Sequence, residues 1–367
     1  MSDLTGVPAH LVMKMLERGS EVAVQTSANA MRYAESRSIL RTALIEGLAL
    51  PSEAGVYEVT PDMLASAPVS QVSAVDGAVV CDSRSIGDLC TAVAIALGDT
   101  EENSESNVFM EQVPRAVGNK ELTTGIMHSL EIDVASRAVG DIVLMDGSLF
   151  AALIATSKAI SNADKGDPNH ALVAATRAIR RPEFVEQVLF LLSSKKHIGM
   201  PKYVTTNQFA KYVPDQFKAL DARSVATMAL RPGEATRFFD FSKDREAVLD
   251  RSLMNKAFGL DDASQKLLTA KLTGMFSCYY KPHPWTQAFR IDISADAFLD
   301  DEAKVRILRA VHDQTMASGM QEPLPQYLVD QFAKQISVGA AAVVEMSALS
   351  STLDPEAQML IALGYRT

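Results

Sequence analysis

Two segments of the chain are near copies of each other: Ala74-Val75-Asp76-Gly77-Ala78-Val79 and Leu144-Met145-Asp146-Gly147-Ser148-Leu149. Each sets one aspartate after an apolar run, with glycine next. A carboxylate at the end of an apolar strand projects into the crevice there, and glycine lets a ligand or a second backbone approach closely. An Asp-Gly pair is also a common tight turn, which is the alternative for both segments. A third acid lies between them. In Asn119 to Val139, Leu122, Ile126, Leu130 and Val134 recur every four residues, which predicts a helix with Gly140 as its stop. Glu131 falls on the same side as Met127, Val134 and Ala138, so its charge borders the packed face and needs a partner. A cation shared with Asp76 and Asp146 would supply one; otherwise Glu131 reaches out to water, and Asp133 and Glu121 compete for the role. Hard oxygen donors of this kind suit magnesium or manganese. Two such ions about 4 Å apart can stabilise both the attacking and the leaving oxygen of phosphodiester hydrolysis.

The elements that must position these acids are legible in part. Helix is predicted from Pro8 to about Leu50, where Ile39, Leu40, Ala43, Leu44, Gly47 and Leu48 keep helical spacing. The stripe Met31, Leu40, Leu44, Leu48 needs a covering surface, either a second copy of the chain or its own core. A Pro/Ser/Gly-bearing connection, Pro51 to Pro68, leads to a strand at Gln71 to Val80 and a second at Leu89 to Leu97. Asp141 to Asp146 reads as a third. The stretch Ser148 to Leu272 is predicted mainly helical, with helices at Leu149 to Ser161, His170 to Arg180, Pro182 to Ser194 and Thr206 to Met228, and a short strand at Ile198 to Val204. Strands at Phe276 to Tyr280 and Ala288 to Ile293 flank the turn KPHPWT, and helices at Ala303 to Ser318 and Gln326 to Ile336 close the chain.

Composition narrows the class. The 367 residues suffice for a large core, 47% are apolar, and no segment is of low complexity, so the chain is globular. The start lacks a basic region followed by an apolar one, and the longest uncharged apolar run, Leu89 to Leu97, is half a membrane span, so a cytoplasmic protein with no membrane partner is expected. Three scattered cysteines, Cys81, Cys90 and Cys278, form no CxxC pair and fit a reducing compartment. A formal charge of −10 repels DNA unless basic groups are concentrated locally. Arg177, Arg180, Arg181, Lys195, Lys196 and His197 could form such a track, or be solvated helix ends. His283 could touch DNA or serve the turn between two prolines. No GxxxxGK[ST] loop is present, so any ATP hydrolysis must come from a partner.

The order strand-Asp, strands, helix-Glu, strand-Asp resembles an RNase H-like acidic centre, which implies an α/β fold with a mixed sheet flanked by helices. The chain further resembles the NurA nucleases over about Ala74 to Ile336. The matching blocks are VDGA, the Glu131 helix, DIVLMDGSL, IGMPKYVTTN from Ile198, YYKPHP, AFRIDI and PLPQYLVDQFAKQI from Pro323. The resemblance implies Asp76, Glu131 and Asp146 as metal ligands and Lys202 as a group on the scissile phosphate. It implies a manganese- or magnesium-dependent DNA nuclease that is a homodimer, works with a HerA-type hexameric ATPase, and serves DNA end processing or anti-phage defence. Three positions depart from the family pattern: Pro201 stands where Ser is usual, Asp330 where His is common, and Glu322 where an aromatic residue is expected. Asp330, if it faces the crevice, becomes a further metal ligand. The expected organisation is an N-terminal helical arm over residues 1–65 and a nuclease domain over 66–367, with a helical insertion at about 160–272. The competing readings are a catalytically inert RNase H-like adaptor that docks on an ATPase or binds DNA, and another RNase H-like nuclease or strand-transfer enzyme.

Overall fold

A computed structural model describes residues 9–84, 86–202, 208–240, 257–318 and 321–362. The chain opens with helices α1 (Ala9–Glu35) and α2 (Arg37–Leu48), then strand β1 (Val56–Glu58) and helix α3 (Pro61–Ser66). A three-strand meander follows, β2 (Val72–Arg84), β3 (Gly87–Leu97) and β4 (Glu105–Val113), and then α4 (Asn119–Arg137), β5 (Ile142–Asp146) and α5 (Leu149–Ala163). Helices α6 (Ala171–Arg177) and α7 (Pro182–Ser193) lead to β6 (His197–Met200). Next come α8 (Ala222–Ala229), β7 (Glu234–Thr236), β8 (Phe239–Asp240) and α9 (Asp262–Thr273). Strands β9 (Phe276–Lys281) and β10 (Phe289–Ile293) precede α10 (Ala295–Phe298), α11 (Asp301–Asp313), α12 (Leu324–Ser351) and α13 (Pro355–Ala362).

The ten described strands form one sheet in the order β1-β7-β9-β10-β6-β5-β2-β3-β4, with β8 also on β9. Pairs β2/β5 and β5/β6 are parallel and the rest antiparallel. A meander running into two parallel strands and crossed by α4 is the mixed α/β arrangement expected from the sequence. Strand β3, GDLCTAVAIAL, is buried almost throughout because both its faces are covered. On one side its Cys90, Ala92 and Ala94 pack with Ile126 and Val134 of α4; on the other, Val93 and Ile95 share a core with Val329 and Ala333 of α12. Helices α4 and α5 meet at Gly125, where an added Cβ would lie 2.1 Å from the Ala159 Cβ.

Several expectations are corrected. The connection Pro51 to Pro68 contains β1, paired with β7, and α3, which Thr60 caps by accepting from Met63 N at 3.2 Å. Strand β4 occupies a stretch for which the sequence predicts no element. The helix expected at Thr206 to Met228 begins outside the described residues. Residues 208 onward form turns and the short 3-10 segment Asp215–Phe217, and only Ala222–Ala229 is α-helix. Pro214 disfavours helical backbone at the residue before it, and Asp221 starts α8 by accepting from Ser224 N at 2.9 Å. The strand expected at Ile198 to Val204 ends at Met200, with residues 203 and 204 outside the described residues.

Leu40, Leu44 and Leu48 are covered by the chain's own Phe209, Val213, Phe217 and Val225, so this part of the stripe needs no second copy. The last core helix is longer than Gln326 to Ile336. Among the described residues α12 is the one helix long and apolar enough to cross a membrane, yet Gln326, Val329, Ala333 and Ser337 line a face built into the core.

Candidate metal centre

Strand register brings the first two aspartates together. Val75 pairs with Met145 across β2/β5, so Asp76 and Asp146 are next to each other on adjacent parallel strands and share a face. Asp146 in turn pairs with Met200 on β6, and Lys202 follows two residues later. Helix α12 crosses the same face and brings Asp330. Carboxylate oxygens of Asp76, Asp146 and Asp330 all lie within 4.8 Å of one another.

The twin Asp-Gly segments do different jobs. Gly147 has φ of +111°, which favours glycine, and turns the chain out of β5. Gly77 lies inside the unbroken strand β2, so Asp76 stands in mid-strand and not at a strand end. Its glycine instead makes room for Glu131. A Cβ there would meet Glu131 Oε1 at 2.5 Å and Met127 Cγ at 2.8 Å. Glu131 therefore approaches from the α4 side, beneath Gly77, and is not one of the three acids within 4.8 Å. It is buried and bonded to His128 Nδ1 through Oε2 at 2.6 Å.

Lys202 is the cation in the cluster. Its Nζ lies 2.9 Å from Asp146 Oδ2, 3.0 Å from Glu322 Oε2, 3.2 Å from Asp330 Oδ1 and 4.0 Å from Asp76 Oδ2. Lys334 adds a contact to Asp330 Oδ2 at 2.7 Å. Gln326 is buried and donates from Nε2 to both Asp146 Oδ1 and Met200 O at 3.1 Å, which fixes the carboxylate against β6. Glu322 and Asp330, two of the positions that depart from the family pattern, thus both face the cluster.

The electrostatics follow from this crowding. Asp76 is pushed up to about 9 by burial and by the charges of Asp146 and Glu131, against the pull of Lys202 and the Gly77 N–H. Asp146 is raised as well, first by burial, although Lys202 and Gln326 oppose. Burial would raise Asp330 too, but the hydrogen bonds from Lys334 and Lys202 outweigh it and hold this carboxyl low. Lys202 is held firmly protonated: burial would lower it, but the carboxylates, led by Asp146, raise it. Burial likewise works to lower His128, and the Glu131 carboxylate more than reverses this.

Four carboxyl groups approach the Lys202 ammonium, Lys334 reaches one of them from the rim, and a fifth lies beneath on α4; such a donor set fits a hard divalent cation. Ligand oxygens on magnesium are about 3.0 Å apart when adjacent and about 4.2 Å when opposite, so three oxygens within 4.8 Å of one another would draw together to share one ion.

Other basic candidates are tied into the fold. Arg177 donates to the carbonyls of Ala163, Asp164 and Gly166; Arg180 binds Asp164 and the Ala257 carbonyl; Lys195 pairs with Asp300; and Lys196 caps the Ala138 carbonyl. His197 is fully buried with Nε2 on Ala135 O, and burial lowers it to about 4. These contacts tie the side chains to the fold, while Arg180, Arg181 and Lys195 remain exposed. His283 is buried in its turn, with Nε2 on His312 O at 3.1 Å. The sequence reading missed His128 and Gln326. Gln326, Asp330 and Lys334 repeat every four residues on one helix, a polar stripe that could have marked the α12 face.

A family profile described as the NurA domain matches residues 70–333. Among solved structures, the chain is similar to the NurA nuclease from Sulfolobus solfataricus. That match has 12% identity and a TM-score of 0.58, and covers 95% of this chain and 99% of the other. It is also similar to a NurA structure bound to dAMP and manganese, at 12% identity and a TM-score of 0.54 with the same coverage. These two likenesses are of fold. No curated protein matches the chain.

Proposed function

Because this chain belongs to the NurA nuclease family, we propose that it is a metal-dependent DNA nuclease whose centre is built on Asp76, Asp146 and Asp330, with Glu131 beneath them. The observation that carries the reading is the clustering of these acids around Lys202, with Asp76 raised to about 9. Burial and mutual repulsion disfavour the ionised form of these acids, and a bound divalent cation would relieve both. Manganese is the preferred ion, as in the relative bound to dAMP and manganese, and magnesium has the same ligand chemistry. Such an ion, held by Asp76, Asp146 and Asp330 with Glu131 beneath, would polarise the scissile phosphate and activate the attacking water, and a second ion beside it would stabilise the leaving oxygen.

The chain's own groups do the rest. Gln326 holds Asp146 in one orientation through its second bond to Met200 O. His128 does the same for Glu131. Lys202 shares its charge among carboxylates in the absence of cations; once these are neutralised it is the positive group free to face the phosphate and balance charge in the transition state. Asp76→Asn and Asp146→Asn keep shape and remove an anionic ligand. Each is expected to abolish cleavage that depends on manganese and stops with EDTA, while circular dichroism stays unchanged. Cleavage at the wild-type rate in either variant sinks this site.

The chain lacks a nucleotide-binding loop and carries net negative charge, which supports action with a separate HerA-type translocating ATPase that delivers DNA to the centre. The role is DNA end processing or anti-phage defence, in the cytoplasm. The division is an arm at 1–65, whose α2 and β1 are built onto the rest of the fold, and a nuclease unit at 66–367 with an insertion at about 160–272. Helix α1 exposes Val12, Met13, Met15, Leu16, Val22 and Val24, and α12 exposes Tyr327, Phe332, Val338, Val343 and Met346. These faces are the surfaces for homodimer formation and for the ATPase. Co-expression with such an ATPase should give a complex whose cleavage is raised by ATP. A monomer in light scattering that cleaves processively and binds no ATPase removes both partners.

A further inference from the structure

We propose that the indole of Trp285 is a stacking platform for an unpaired nucleobase, carried on the same rigid unit as the carboxylate cluster, a subsite that rests on the nuclease reading above. Trp285 lies in the turn between β9 and β10 and is 39% exposed. It is nonetheless held on more than one side. Its ring lies flat on His283, with centroids 4.8 Å apart and planes 8° from parallel. Its Nε1 donates to Thr315 O at 3.2 Å. Beneath it, the buried His283 meets the His312 ring at 4.5 Å, and the His283 N–H donates to Thr286 Oγ1 at 3.2 Å. With one face on His283 and the N–H tied back, the accessible side of the indole is the one turned away from the stack. An aromatic face fixed in this way loses little freedom when a second ring lands on it.

Two tethers join the platform to the acids. Arg223 donates from Nε to Ala288 O at 3.1 Å, at the end of the Trp285 turn, and from Nη1 to Lys202 O at 2.6 Å. The second runs through Gln314, the neighbour of Thr315, whose carbonyl accepts from Leu324 N at 2.9 Å and closes the loop between α11 and α12. Leu324 starts the helix that carries Gln326 and Asp330. The position of the ring relative to the cluster is therefore set by hydrogen bonds that Arg223, the indole N–H and the backbone at Leu324 make within the fold.

The chemistry identifies the occupant. The indole offers an uncharged π-face, which binds another flat ring and not a phosphate, and a phosphodiester strand entering a hydrolytic centre carries such rings at regular spacing. A base inside a duplex is already stacked on both faces, so the partner is an unpaired base.

The chain has a single tryptophan, so its emission reports on Trp285 alone. The full-length protein in EDTA, which prevents cleavage, is titrated at low salt with single-stranded oligothymidylate and with an abasic phosphodiester of equal length. Quenching by the first and none by the second is expected. By fluorescence polarisation with labelled oligothymidylate, Trp285→Ala should bind about 5- to 100-fold more weakly, and Trp285→Phe, which keeps a ring, should recover most of the loss. Circular dichroism checks that each variant is folded. Binding without quenching, or Trp285→Ala binding as tightly as wild type, overturns the platform. Failure of the nuclease reading shows separately, as no manganese-dependent cleavage by the wild-type chain.

Discussion

Binding of manganese should expel a proton from Asp76, and the size of that linkage follows from the site. An unfolded chain releases the Asp76 proton near the ordinary 3.8, whereas the folded chain, without metal, holds it up to about 9. Between those values the native state carries the extra proton, so this group makes the metal-free protein less stable as pH rises, by up to about 1.4 kcal/mol per pH unit. For metal binding the sign is reversed, since the ion needs the carboxylate ionised. With one such proton, the apparent Kd for manganese should fall about 50- to 100-fold from pH 6 to pH 8. Asp330 contributes nothing to this slope, because it is lowered and stays ionised throughout that range. Anaerobic calorimetric titration at pH 6, 7 and 8, in two buffers of different ionisation enthalpy, gives both the Kd and the proton count. At pH 7 the wild type should release about one proton from Asp76 with the first ion, and any further release comes from Asp146 and His128, which are raised as well. Asp76→Asn should bind more weakly and lose most of the slope. A wild-type Kd constant within about threefold over this range, or an equal slope in Asp76→Asn, refutes the assignment of the raised carboxylate.

Three further outcomes test other parts of the arrangement. Lys202→Ala should lower turnover at saturating manganese by about 10- to 1000-fold, as for loss of one transition-state charge contact, with a smaller change in metal affinity; the reverse pattern in steady-state kinetics and metal titration removes its role on the phosphate. Gly77→Ala places a methyl 2.5 Å from Glu131 Oε1, so it should cost about 1 to 3 kcal/mol in denaturant melts and impair cleavage as Glu131 shifts, and a variant as stable and active as wild type contradicts the packing. Gly125→Ala sets a methyl against Ala159 Cβ at the α4/α5 crossing, more than a turn along α4 from Glu131. It should lower stability by at least as much in the same melts, and an unchanged melting curve contradicts the close approach of the two helices.

Much of the candidate centre was legible because its first members sit in local patterns. Apolar runs marked β2, β3 and β5, and four-residue spacing marked α4, so Asp76, Asp146 and Glu131 could be placed on their elements from the sequence alone. Local pattern also misled. The two Asp-Gly pairs look alike in sequence, yet one glycine turns the chain and the other admits a side chain from α4. The segment 208–228 is rich in apolar residues, yet Pro214 and the Asp221 cap divide it.

What only the tertiary structure decided is which distant groups meet. The parallel register of β2 and β5 sets Asp76 beside Asp146, and no feature of either segment encodes that register. Glu322, Gln326 and Asp330 reach the same crevice because α12 crosses the sheet over β2 and β3, and the charge surplus that raises Asp76 exists only once they and Lys202 have converged. Periodicity is a property of neighbours in the chain, whereas burial and Coulomb interactions depend on separation in space. The sequence therefore determined which residues could bind a metal, and the packing of α12 and α4 on the two faces of the sheet decided which of them share one site.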